Sequence, residues 1–484
     1  MNDKFAGHNM KKRLLLFVLV ICANLSAQTA YPDINENIER GNYSRAQIMI
    51  LGKLRNVNLP ESEAYDLKFQ IEVMERIRKD FNKSRDDIAA ALAKYYPNLS
   101  EEQIDEWEKS NALEMKIIDG EKRYFSRAVS NLFRLNDKAK KIKESVDGIN
   151  VDKLEEFLKG YIPKVVKTAS AYKQRFVLPV KMKLKYSLTV KPNVVPAGEI
   201  IRCWLPYPKE SNPRQIDVRL ISANKKEHII AFDCNLQRTL YMEEKAKADQ
   251  PTRFEIELSY TSMAEYVDLF SNSGLITFDK NPEIFSRYTK EEYPQIVFTE
   301  RIKEISRKVV GDEKDPIQKL KKIFTWVDEN TPWVGTREYS TIPNIPEYAL
   351  EQKHGDCGIQ TLLFMTLCRY NGIPVKWQSG WMLYPDKIDM HDWGEIYIDN
   401  YGWVPVDQDL GIKNYLNDSH KYFYLGSTDA YRLIVNDDYS KPLYPAKIFP
   451  RSETIDFQRG EVEWRGGNLY FDKWNYDMQV EYSN

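Results

Sequence analysis

The chain is predicted to be an α+β protein of several domains, and three patterns carry that prediction. Apolar residues recur at helical spacing to about residue 176, apolar and polar residues alternate strictly from Phe176, and beyond residue 276 helical patterns lead into stretches rich in β-branched and aromatic residues. With 484 residues, 42% hydrophobic and 12% aromatic, the chain can bury about three separate cores. Lysine and arginine number 70 against 71 aspartates and glutamates, a formal net charge of −1. No cationic excess exists to neutralise phosphates, so no nucleic-acid partner is expected. The sequence also lacks a G-x-x-x-x-G-K-[ST] loop and a dinucleotide fingerprint.

Residues 1–27 read as an export signal. Lys11, Lys12 and Arg13 precede the apolar run Leu14 to Ile21, which is too short to span a bilayer, and Leu25-Ser26-Ala27 offers a small-residue cleavage site before Gln28. Lipid attachment at Cys22 is disfavoured by the bulky Ile21 before it. The mature protein is expected in the periplasm or outside the cell, with no transmembrane span. It would keep Cys203, Cys234, Cys357 and Cys368, and whether the first two form a disulfide is open.

Residues 28–176 read as a helical domain. Ala64, Leu67, Ile71, Met74, Ile77 and Phe81 form one stripe, Ser100-Glu101-Glu102-Gln103 is a capping box, and Lys138 to Lys143 is a solvated face. Residues 177–275 read as an antiparallel β-sandwich. Met182, Leu184, Tyr186, Leu188 and Val190 alternate with lysines and hydroxyl residues, and Phe254, Ile256, Leu258 and Tyr260 alternate again.

Residues 276–440 carry the chemistry. One helix is expected over Tyr293 to Val310, and a second starts at Asp315-Pro316, a cap followed by proline in the first turn. Asp356 caps a third that Cys357 opens, with Leu362, Leu363, Met365, Thr366 and Leu367 facing a core and Asn371-Gly372 as its stop. Strands follow over Val375 to Tyr384, His391 to Ile398 and Trp403 to Asp407. The tail, residues 441–484, reads as a β-hairpin around Gly466-Gly467 that closes against a neighbouring domain.

A cysteine at a helix start meets unpaired backbone N–H groups and their partial positive charge, which bias it toward thiolate and can receive an oxyanion. Its base would be His391 and the orienter of that base Asp407. Period-two alternation puts His391, Trp393 and Glu395 on one face. Asp407 joins them only if Ile398 faces Gly402 across a three-residue loop, which sets Asp407 opposite Trp393. The alternatives rank lower: Asp392 alternates to the other face, Asp409 lies beyond the strand, and His354 is expected to be a solvated turn residue.

These residues resemble the core of the transglutaminase-like superfamily. Gly355-Asp356-Cys357, then Arg369 with Gly372-Ile373-Pro374, then His391, Trp393 and Glu395, and finally Gly402, Trp403, Pro405 and Asp407 follow its motifs in order. The resemblance spans roughly residues 285 to 415 and implies a papain-like fold with Cys357, His391 and Asp407 as catalytic triad. It also implies an aromatic residue, Trp333, near the nucleophile. Gly394, where a larger residue is commoner, and Gln408, where proline is usual, depart from the pattern. The expected activity is amide or peptide hydrolysis, or acyl transfer, through an acyl-enzyme, with no cofactor or metal. Substrates would be peptide or protein amides, cell-wall peptides among them. The rival reading is a non-catalytic cleft that binds peptide or glycan.

Overall fold

The computed structural model describes residues 31–271, 277–417 and 420–483, and the export-signal reading falls outside them. The described residues divide into two compact units. One runs up to Gly148 and includes Thr336–Thr341; the other comprises Ile149–Gly335 and the residues from Ile342 onward.

The first unit contains helices α1 (Pro32–Glu39), α2 (Tyr43–Leu54), α3 (Glu61–Asp80), α4 (Arg85–Leu92), α5 (Glu101–Lys109), α6 (Ala128–Leu135) and α7 (Asp137–Asp147). Leu67, Met74, Ile77 and Phe81 of the expected stripe are buried in its core. The Ser100 side chain accepts from Gln103 N–H and so caps α5. A purely helical reading misses strands β1 (Met115–Ile118) and β2 (Glu121–Tyr124). Asp119 and Gly120 join them, both with positive φ (49° and 85°), the conformation of a two-residue hairpin turn that Asp-Gly favours.

The second unit opens with α8 (Lys153–Tyr172), whose Phe157 and Tyr161 pack against Tyr431. Strands β3 (Phe176–Val190), β4 (Ile200–Pro206), β5 (Gln215–Ala223), β6 (His228–Ile230), β7 (Thr239–Lys245) and β8 (Thr252–Glu265) follow. Next come α9 (Pro282–Tyr288), α10 (Glu300–Val310), α11 (Pro316–Asn330), α12 (Ile345–Gln352) and α13 (Cys357–Tyr370). The remaining strands are β9 (Val375–Tyr384), β10 (Lys387–Ile398), β11 (Gly402–Val406), β12 (Arg432–Asn436), β13 (Glu461–Trp464), β14 (Gly467–Asn468) and β15 (Trp474–Ser483). Helix α10 starts at Glu300 rather than Tyr293, because Thr299 accepts from Ile302 N–H and sets the first turn there.

Two antiparallel sheets, ordered β14-β13-β4-β7-β6 and β15-β3-β8-β5, form the sandwich. Met182, Leu184, Tyr186, Leu188 and Val190 share its core with Phe254, Ile256, Leu258 and Tyr260, as alternation requires. The tail does more than form the expected hairpin. β13 and β14 do pair, but β13 also extends the β4 sheet, while β15 runs antiparallel along β3 from Trp474↔Val190 to Ser483↔Lys181. These strands bury Val462 and Trp474 and occupy edges that β3 and β4 would otherwise expose.

A third sheet, β11-β10-β9-β12, supports α13, which is buried from Gly358 to Arg369. In β10 and β11, Ile398 faces Gly402, Tyr397 faces Trp403 and Gly394 faces Val406, so the three-residue loop and its register are as the sequence requires. Gly394 has a local reason: an added Cβ would come 3.2 Å from Lys376 O and 3.2 Å from Val406 Cγ1.

Candidate functional site

Three elements converge on the site: the first turn of α13, the middle of β10 and the end of β11. Asp356 accepts from Ile359 N–H at 3.3 Å and caps α13, which puts Cys357 in its first turn. Gly355 must be glycine, since a Cβ there would lie 2.4 Å from Ile359 Cγ2. The backbone before it is tied down by Val334 N–H donating to Gly355 O at 3.0 Å, which places the exposed Trp333 beside Gly355. At the far end of α13, buried Arg369 donates from Nε to Val375 O at 3.1 Å and fixes the helix to the start of β9. Buried Gln408, a departure from the family pattern, donates from Nε2 to Phe324 O at 3.0 Å.

His391 is buried, and its Nε2 lies 2.8 Å from Asp407 Oδ2. An ionised carboxylate only accepts, so Nε2 carries the hydrogen. Burial opposes a charged imidazole, but Asp407 outweighs it and the His391 pKa is raised. Burial would likewise raise Asp407, yet His391 and Arg432 hold it well below the usual carboxylate range. The Arg432 guanidinium lies 2.6 Å from Asp407 Oδ2 and 2.9 Å from Asp429 Oδ2. Leu410 N–H donates to the other Asp407 oxygen at 3.0 Å.

The other ring nitrogen, His391 Nδ1, has no hydrogen-bond partner and lies 3.6 Å from Asp409 Oδ2. Cys357 Sγ hydrogen-bonds to Asp392 Oδ2 at 3.3 Å. Both aspartates ranked below Asp407 therefore reach the site without replacing it as the partner of Nε2. Burial and Asp356 push Asp392 up to about 7, and burial pushes Asp409 up to about 6.

The expected low thiol pKa is not found. Burial and the charges of Asp392, Asp356 and Asp409 push the Cys357 thiol well above its ordinary value, outweighing the helix terminus. His354 also differs from expectation: it is buried, edge-on to Tyr348 with ring centroids 6.4 Å apart. Cys203 and Cys368 are buried free thiols, and Cys234 is exposed and free. Gln458 and Asp456, unmarked by any sequence motif, reach Asp392 from the tail. Among the described residues no group of three or more His, Cys, Asp or Glu side chains could hold a metal ion.

Residues 303–408 match the model of the transglutaminase-like superfamily, and the chain carries a transglutaminase-like core. The uncharacterized protein YebA of Bacillus subtilis is 24% identical over 171 residues, 30% of this chain but 23% of that protein. Among solved structures, a candidate cysteine protease from Cytophaga hutchinsonii is 14% identical, with 64% of this chain and 91% of that one covered, at a TM-score of 0.43. The periplasmic domain of TgpA from Pseudomonas aeruginosa is 12% identical, covers 49% and 93%, and has a TM-score of 0.26.

Proposed function

We propose that the protein is an exported, thiol-dependent amide or peptide hydrolase that works through an acyl-enzyme on Cys357. The observation that carries this reading is the His391–Asp407 pair: Nε2 is engaged at 2.8 Å while Nδ1 has no hydrogen-bond partner. In this reading Nδ1 takes the thiol proton and Sγ attacks the amide carbonyl carbon, whose π electrons move to oxygen. The Cys357 backbone N–H, in the first turn of α13, is one donor to that oxygen. The tetrahedral centre collapses, the C–N bond breaks, and the leaving amine receives the proton from Nδ1. Water then repeats the sequence on the thioester and regenerates the thiol. Asp407 keeps its charge throughout because His391 and Arg432 flank it. Export places peptide fragments and cell-wall peptides within reach.

The test is incubation of the mature protein with a peptide library, with and without a primary amine such as cadaverine, read by mass. Cleaved or deamidated peptides unaffected by amine, and lost in Cys357→Ala, are the expected result. Amine-bearing products would make it an acyltransferase. Peptides bound but unaltered would leave only a binding cleft.

A further inference from the structure

The nucleophile's own hydrogen bond lies outside the Cys-His-Asp triad. A thiol has one proton and donates it to one acceptor at a time, and here the acceptor is Asp392 Oδ2 at 3.3 Å. While this bond stands, the thiol proton is engaged by Asp392 and is not shared with the imidazole of His391. The tail holds Asp392 in place. Gln458 Nε2 donates to Asp392 Oδ1 at 2.7 Å and to His391 O at 2.8 Å. Gln458 is itself fixed by Trp381 Nε1–H, which donates to its carbonyl at 3.0 Å, and by its own N–H donating to Glu453 Oε2 at 2.8 Å. The buried Asp456 carboxyl faces Asp392: burial first, and then the Asp392 charge, raise it well above the usual carboxylate range.

We propose that Asp392 is a fourth functional residue of the site: it holds the Cys357 thiol as S–H by accepting its proton, and the thiolate–imidazolium pair forms only when that hydrogen bond breaks. Its catalytic consequence rests on the acyl-enzyme reading, whereas its effect on the thiol does not. The surrounding charges act in the same direction. Asp356 at the cap of α13, Asp392 on β10 and Asp409 after β11 act on the sulfur. Against them stands a backbone hydrogen bond from Asp392 to the sulfur, which favours the anion; His391 has Asp407, Arg432 and Asp409 around it, and Lys387 offsets Asp409. Asp456 and Glu453 stand behind Asp392. Carboxylates predominate, so a sulfur anion is opposed. Burial first, and Asp356, push Asp392 up to about 7, so its opposition grows as pH rises through neutrality.

The experiment is iodoacetamide alkylation of the mature full-length chain, with the Cys357 peptide quantified by mass spectrometry across the neutral range. Asp392→Asn removes the charge and is expected to alkylate Cys357 at least about ten-fold faster at pH 7, the effect of one pKa unit. Cys234 is the internal control. In the wild type the rate rises by less than tenfold per pH unit through the range in which Asp392 ionises; in the variant the full tenfold returns. A slower Asp392→Asn would make Asp392 the thiol's base, and an unchanged profile would remove its role; either overturns the proposal. A measurement on the native site guards against a variant that misfolds. The infrared difference between wild type and Cys357→Ser at neutral pH should contain a hydrogen-bonded S–H stretch, and its absence would mean a resting thiolate. Neither readout needs a substrate, so failure of the peptide assay is separable from failure here.

Discussion

Replacing Arg432 with methionine tests what holds the site together. The guanidinium is fully buried, bridges Asp407 and Asp429, and lies over the Trp393 ring with 5.1 Å to the centroid. Methionine keeps much of the volume and leaves two buried carboxylates with one cation fewer. Asp407 retains His391 and Leu410 N–H; Asp429 retains the Tyr384 hydroxyl at 2.7 Å and Tyr431 N–H at 2.8 Å. Breaking a buried ion pair by removing one partner costs about 3–5 kcal/mol, and the retained donors place this loss in the lower half of that range. Both carboxyls are held below their ordinary values: burial raises them, but His391 and then Arg432 at Asp407, and Arg432 at Asp429, outweigh it. Their contribution is thus present above the unfolded carboxylate value of about 3.9 and is lost as pH falls through the folded values. Without Arg432 the folded values rise, so the destabilisation is largest at neutral pH and shrinks below about pH 4. Urea unfolding followed by tryptophan fluorescence reports it, since Trp107 is the sole tryptophan outside the second unit. A loss under about 1 kcal/mol, a loss independent of pH, or no recovery on adding Asp429→Asn would refute the reasoning.

Other outcomes follow from the same geometry. The His391 ring should titrate above about 6.5 in the wild type, and Asp407→Asn should lower that midpoint, as read from its Cε1–H resonance; an unmoved midpoint contradicts the pairing. The linked stability is present below the unfolded histidine value and is lost as pH rises through the folded one, so Asp407→Asn should weaken that dependence. Gly394→Val forces a side chain against Lys376 O and Val406 Cγ1 and should cost about 1–3 kcal/mol in urea unfolding. With Cys234 exposed, Cys203 and Cys368 buried and the Cys357 thiol raised, alkylation at neutral pH should reach Cys234 first and the buried pair only on unfolding.

What the sequence made legible was what local periodicity controls. Alternation along β10 and a three-residue loop before Gly402 determine the register that brings His391 and Asp407 together, and Asp356 with Asn371-Gly372 delimits α13. The β1–β2 hairpin is missed although Asp119-Gly120 is a strong turn signal, because the charged run Glu121-Lys122-Arg123 after it lacks the apolar alternation of a strand and the surrounding pattern is helical. Other features depend on contacts distant in sequence. The pairing of β15 with β3 joins residues nearly the whole second unit apart, and Gln458 reaches Asp392 from the tail. Asp392 was assigned to the face opposite His391, yet that face does not separate it from Cys357. The thiol's protonation escapes the sequence for a related reason: a helix terminus is visible there, whereas burial among carboxylates arises from tertiary packing.

An acyl-enzyme on Cys357 can be trapped by acid-quenched mass spectrometry during peptide turnover. A thioester on Cys357 should appear as a hydroxylamine-labile mass on the peptide that contains Cys357, formed during turnover and absent, together with turnover, from Cys357→Ala. Turnover that persists in Cys357→Ala, or that proceeds with the adduct on another residue, would contradict it.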